Sequence, residues 1–115
     1  MDTANNISED FARYIYIIDT KARTPKNLEL TSNKYGVYLT WQCQEKNVKR
    51  YEIYRRLVIG TQAGAWQRIY IEQNGWKDYL DQTAVPWKKY DYRVKVIDSL
   101  NNSNNSEIYS IKYRK

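Results

Sequence analysis

Hydrophobic and polar positions alternate along most of this chain. The clearest run places Tyr90, Tyr92, Val94 and Val96 on one face and Asp91, Arg93 and Lys95 on the other. Alternation of this kind marks a half-buried β-strand, here predicted over Tyr90 to Asp98, with Pro86 marking a corner that leads into it. Gly36 to Gln42 alternates with Val37, Leu39 and Trp41 on one face, and Lys49 to Leu57 sets Tyr51 and Ile53 against Glu52, Tyr54 and Arg56. Asn27–Thr31, Ala65–Ile71, Trp76–Leu80 and Ser106–Tyr113 complete the set. Turn residues separate these runs: Gly60 to Gly64, the tight-turn pair Asn74-Gly75, and Asn101 to Asn105, where Gly and Asn supply left-handed backbone. About seven short strands with no long helix between them predict an all-β fold, a seven-stranded antiparallel β-sandwich.

Residues 1–23 follow a different pattern. Phe11, Tyr14, Ile15 and Ile18 fall on one helical face, with Ser8 as a cap and acids after it. The stretch Tyr14 to Ile18 is also strongly β-prone. Helix, strand, and an arm ordered only by a partner all remain open for this N-terminal extension. Thr24-Pro25 ends it, because proline restricts the residue before it, and residues 24–115 form the predicted sandwich.

Composition sharpens the picture. The chain has 115 residues and a net charge of +6; residues 1–23 carry four acids and three bases, so the rest carries +7. Length fits one domain with a single core. The basic surplus suits an acidic partner or nucleic acid, and equally an ordinary solvated surface. Tyrosines number 12 and tryptophans 4, side chains that combine a buried ring with a polar tip. There is one cysteine, Cys43, and no histidine. An intramolecular disulfide is excluded, as are Ser-His-Asp and Cys-His catalysis. No apolar stretch approaches the roughly 20 residues of a membrane span, and residues 1–6 lack the basic and apolar regions of a secretory leader.

Several segments resemble the fibronectin type III family. Pro25-Lys26-Asn27-Leu28 resembles its opening strand, Val37 to Trp41 the second strand with its core Trp, and Tyr51 to Arg55 the third. Ala84-Val85-Pro86-Trp87-Lys88-Lys89-Tyr90 is similar to the family's tyrosine corner, in which the Tyr hydroxyl bonds back to upstream backbone. Asn101 to Ser106 is similar to the family's Gly-Asn-x-Ser-x-x-Ser ending, and Tyr79 to Thr83 to the phrase that bacterial members carry before the corner. Ala84 stands where the family has Leu, and Asn101 where it has Gly. The resemblance implies a fibronectin type III, immunoglobulin-like sandwich; function does not follow from the fold.

No catalytic residue, cofactor site or metal site is expected. Asp78 and Asp81 form a possible carboxylate pair, but their place at a strand end favours turn hydrogen bonding. Alternation puts Arg50, Glu52, Tyr54 and Arg56 on the outward face of the third strand and Asp91, Arg93 and Lys95 on that of the sixth, and the resemblance implies that these two strands are neighbours in one sheet. Two readings stand for this shared face: a basic docking patch, or a charged, solvated face with cross-strand ion pairs. Trp87 on the corner and Trp76 after the Asn-Gly turn are either contact residues or covers for the sandwich ends. The candidate protein-binding residues are therefore Phe11, Tyr14, Ile18, Tyr54, Arg56, Trp87, Arg93 and Lys95.

The expected function is a non-catalytic structural or interaction module whose partners are proteins: a capsid, a tail or neighbouring domains. The sharper expectation is a decoration or tail protein of a bacteriophage virion assembled in the host cytoplasm, with self-association inside the assembly left open. The alternative is an accessory module of a secreted carbohydrate-active enzyme or cell-surface adhesin, and a basic nucleic-acid-binding protein ranks last. No membrane partner is expected.

Overall fold

The computed structural model describes residues 22–115. Of the helix, strand or arm expected over residues 1–23, residues 1–21, with Phe11, Tyr14 and Ile18, lie outside the described residues.

Nine strands form among the described residues: β1 (Lys26–Asn33), β2 (Gly36–Gln42), β3 (Val48–Ile59), β4 (Gln62–Ala63), β5 (Gln67–Glu72), β6 (Asp78–Asp81), β7 (Lys89–Asp98), β8 (Ser103–Asn105) and β9 (Tyr109–Lys112). β1, β2 and β6 make a three-stranded sheet in that order. The second sheet has six strands, with β3 and β7 at its centre, β4 and β5 on the free side of β3, and β8 and β9 on the free side of β7. All pairings are antiparallel.

The expected seven strands become nine for two local reasons. Residues 60–64 turn tightly enough for Gln62 and Ala63 to pair with Ile59 and Val58, so the expected loop holds β4. At the other end, Ser103 to Asn105, expected as a turn, pairs with β7 as β8. The last expected strand, Ser106 to Tyr113, shortens to β9 because Ser106 interrupts the ladder. Its hydroxyl accepts the Val94 N–H at 2.9 Å while its own N–H donates to the Val94 carbonyl at 2.7 Å. A side-chain oxygen thus replaces a backbone carbonyl, and the chain leaves the sheet before returning.

The inward faces follow the sequence alternation. Val37, Leu39 and Trp41 from β2 meet Tyr51 and Ile53 from β3 and Tyr90, Tyr92, Val94 and Val96 from β7, all buried. Ala22, just before β1, is buried in the same cluster. Trp41 packs edge-on against Tyr51 with ring centroids 5.4 Å apart. Both open sides between the sheets are clasped. On one, Tyr70 of β5 stacks on Tyr79 of β6 at 4.2 Å. On the other, the Ser32 hydroxyl donates to the Arg114 carbonyl and accepts the Arg114 N–H, each at 2.7 Å.

β5 belongs to the larger sheet and β6 to the smaller, so Asn74-Gly75 carries the chain from one sheet to the other. The Glu72 carboxylate, buried at the end of β5, accepts the N–H groups of Asn74 at 2.6 Å and Trp76 at 3.2 Å and holds that crossing.

Candidate functional site

One cluster of ionisable groups lies between the two sheets. Asp81, at the end of β6, has no exposed surface. Its carboxylate accepts hydrogen bonds from the Thr83 N–H at 3.0 Å, the Thr83 hydroxyl at 2.6 Å, the Tyr92 hydroxyl at 2.5 Å and the Arg55 guanidinium at 2.8 Å. The Arg55 guanidinium also donates to the Thr83 hydroxyl at 2.8 Å and lies over the Tyr90 ring at 4.7 Å. Burial alone would raise the Asp81 carboxyl, but the bonds from Thr83, Tyr92 and Arg55 outweigh it and hold it below the usual carboxylate range. Burial and the neighbouring carboxylate push the Tyr92 hydroxyl well above its ordinary value. All four acceptor directions of Asp81 are thus taken by internal donors. The group is an inter-sheet staple, with the turn bonding expected of Asp81 as one part of it. Asp78 lies apart from this network and accepts the Tyr38 hydroxyl at 2.7 Å.

The outward face of β3 and β7 brings together Tyr54, Arg56, Arg93 and Lys95, as the alternation and the family resemblance together implied. The register sets Glu52 opposite Lys95, Tyr54 opposite Arg93 and Arg56 opposite Asp91. Much of the charge there is satisfied locally. Asp91 accepts the Arg56 Nε at 2.8 Å and the Ser110 hydroxyl at 2.5 Å. Glu52 accepts the Arg50 Nε and the Tyr54 hydroxyl, each at 2.8 Å, with Arg68 at 3.5 Å. Burial opposes ionisation of Glu52, yet its bonds from Arg50 and Tyr54 hold the carboxyl below its ordinary value.

This face has an element that strand alternation did not reveal. Trp66, between β4 and β5, lies against two guanidiniums, with Arg56 at 4.3 Å and Arg93 at 4.5 Å from its ring centroid. Arg93 also lies 5.2 Å from the Tyr54 ring. Among the described residues Arg93 has no carboxylate partner, and its Nε is enclosed without an acceptor. Arg–aromatic stacking of this kind contributes about 0.5–2 kcal/mol per pair.

Trp87 sits elsewhere, at the corner. Lys88 N–H bonds to the Val85 carbonyl at 3.2 Å, closing a turn with Pro86 and Trp87 at its centre. Trp87 has φ 70° and is 60 % exposed. Proline followed by a left-handed residue is the type II pattern, which favours Gly or Asn in the second place. A bulky side chain there costs about 1–2 kcal/mol, and its indole gains little burial in exchange. Trp76, at the opposite end, is 63 % exposed. Neither Trp covers an end of the sandwich. Beside the corner, Arg55, Leu57, Ala65, Val85, Lys88 and Tyr90 line a shallow depression of about 350 Å³.

The corner also carries a diagnostic bond: the Tyr90 hydroxyl accepts the Val85 N–H at 2.9 Å. With the sheet order above, it decides the fold. An Fn3-like protein from Clostridium thermocellum superposes with a TM-score of 0.63 at 22% identity, over 79% of this chain and 92% of that one. The fold is that of a fibronectin type III domain. This fibronectin type III-like chain also resembles part of the pectate lyase PelI from Erwinia chrysanthemi, solved with tetragalacturonic acid, at 24% identity and TM-score 0.63 over 73% of this chain and 27% of that one. A β-1,2-glucanase from Parabacteroides distasonis matches with TM-score 0.63 and 22% identity, over 83% of this chain and 13% of that one. The chain thus spans about a quarter of the pectate lyase it matches. No protein-family model and no curated protein matches the sequence.

Proposed function

We propose that this fibronectin type III-like domain is a non-catalytic interaction module that docks through the outward face of β3 and β7. Arg93 carries this reading. Its guanidinium lies over the Trp66 ring and near Tyr54 without a carboxylate among the described residues, while the acids around it are engaged by other donors. A preorganised guanidinium flanked by aromatic rings is the side-chain chemistry of an interface anchor for a carboxylate-bearing protein. Lys95, next along β7, extends the positive charge.

Two settings follow for the module. One is a bacteriophage virion, as a capsid decoration or tail component; its support is residue usage rich in Asn, Lys, Tyr and Ile. The other is an accessory module of a carbohydrate-active enzyme or adhesin, supported by the pectate lyase and glucanase chains that contain a similar fold within longer proteins. The products of the neighbouring genes are the test set. Binding of each to the wild-type chain and to an Arg93→Glu/Lys95→Glu variant would be followed by biolayer interferometry. A partner whose affinity drops at least about tenfold with the variant supports the face. A partner that binds both equally, or no binding across the set, overturns it. Capsid or tail genes beside this one select the first setting, and a reading frame continuing into a catalytic domain selects the second.

A further inference from the structure

The end of the sandwich that holds the corner has a composition unlike the rest of the surface. Four exposed apolar side chains lie at this end: Tyr35 between β1 and β2, Ile59 as the last residue of β3, and Val85 and Trp87 in the corner, each at least half exposed. Backbone bonds place them among cations. Trp87 N–H donates to the Tyr113 carbonyl at 2.7 Å, and Tyr113 N–H donates to the Lys88 carbonyl at 2.9 Å. Lys89 pairs directly with Lys112, Arg114 is tied to Ser32, and Lys34 lies 5.2 Å from the Tyr35 ring centroid. None of residues 33–36, 57–66, 82–90 and 110–115 is Asp or Glu. Among the described residues, Asp81 and Asp91, in the strands that lead to this end, are engaged by Arg55 and Arg56.

We infer that this tip docks on an anionic lipid surface, with Trp87 entering the boundary between headgroups and acyl chains and the surrounding lysines meeting the headgroups. Three observations favour a membrane over a protein or nucleic acid. The cations are mainly lysines, which protein interfaces disfavour but which suit a diffuse, anionic headgroup layer. The exposed apolar residues sit in turns and at a strand end of one tip, a shape that inserts into a layer and gives a polymer strand no groove to follow. And Trp87 occupies a backbone position where glycine would be less strained, so the indole has a use outside the fold. Tryptophan is the side chain that prefers the membrane interface. No helix among the described residues is long and apolar enough to cross a membrane; docking on a surface needs none.

The test uses the full chain with vesicles of phosphatidylcholine alone and of phosphatidylcholine mixed with phosphatidylglycerol. Co-sedimentation is expected with the anionic vesicles only, and it weakens as salt is raised. Lipids brominated in their acyl chains should quench wild-type fluorescence, and the Trp87→Gly variant should lose that quenching with a urea midpoint no lower than that of the wild type. Lys88→Gln/Lys89→Gln should weaken partition by about tenfold or more, whereas Lys26→Gln/Lys49→Gln, which removes the same charge at the opposite end, should have a much smaller effect. Equal losses in the two double variants, retained quenching in Trp87→Gly, or no binding to anionic vesicles overturns the inference. Tip-dependent binding to oligodeoxythymidine or poly-glutamate without vesicle binding overturns it as well and assigns the tip to nucleic acid or to an acidic protein.

Discussion

The Tyr92 hydroxyl donates a 2.5 Å hydrogen bond to the Asp81 carboxylate and so joins the two sheets through the middle of the core. Tyr92 and Asp81 are both fully buried, and Arg55 completes the ion pair from the larger sheet. A buried carboxylate of this kind is stable only while its partners remain. Asp81→Asn leaves the Arg55 guanidinium without its counter-charge and is expected to cost about 3–5 kcal/mol. Tyr92→Phe removes one donor but leaves Thr83 and Arg55 in place, so a smaller loss of about 1.5–3 kcal/mol is expected. Urea unfolding of both single variants and the double variant measures this, and the double variant should lose less than the sum.

The same carboxylate sets an acid limit on stability. The folded-state pKa values of Asp81 and Glu52 are both depressed, because hydrogen bonds and cations outweigh their burial. Groups shifted in that direction contribute stability that is present above the unfolded carboxylate pKa and lost as pH falls through the lower folded value. The urea midpoint should therefore hold near neutrality and decline below about pH 4. In Asp81→Asn the midpoint starts lower and the decline is shallower. An unchanged acid profile in that variant would show that Asp81 is not a source of the pH dependence.

The fold was legible because its strongest signals are local. Alternation in Tyr90 to Val96, the Pro86-to-Tyr90 spacing and the turn residues each specify one element, and together they allow one architecture. Two features were hidden by the same rule that exposed the strands. Period two puts Asp81 on the inward face with Tyr79, yet an acid at a strand end reads first as a turn residue; its partners, Arg55 and Tyr92, lie far away in sequence. Trp66 falls inside the expected Ala65–Ile71 strand but precedes β5, which begins at Gln67, and only folding brings it over Arg56 and Arg93. The outward patch followed from alternation and from the strand neighbours that the family resemblance implies, but which ion pairs form within it depends on side-chain reach, which spacing alone does not encode.

Gly36 is the position where the backbone leaves least room. It opens β2 at φ 149°, and a Cβ there would meet the Asp81 carbonyl group, which is backbone and cannot swing aside. Gly36→Ala should force β2 and β6 apart where Val37 pairs with Asp81. Overpacking and backbone strain together are expected to cost about 3 kcal/mol or more. Gly75→Ala is the comparison: its Cβ would meet open space at φ 80°, so only backbone strain remains, about 1–2 kcal/mol. The two urea midpoints should separate clearly, and equal midpoints would show that the close approach to Asp81 is not limiting.

The tyrosine corner offers the most local test. Tyr90 is buried, and its hydroxyl is the acceptor for the Val85 N–H at 2.9 Å. In Tyr90→Phe that amide loses its partner while the ring and its contact with Arg55 are retained. The expected cost is about 0.5–1.5 kcal/mol, small enough for the sandwich to remain folded. The sharper readout is amide exchange. Val85 N–H should exchange with solvent much faster in the variant, while Val94 N–H, held by the Ser106 hydroxyl in the centre of β7, should change only with global stability. If both amides accelerate in proportion, the hydroxyl contributes only to overall stability. If Val85 alone responds, Tyr90 is what fixes the corner, and with it the turn that projects Trp87 into solvent.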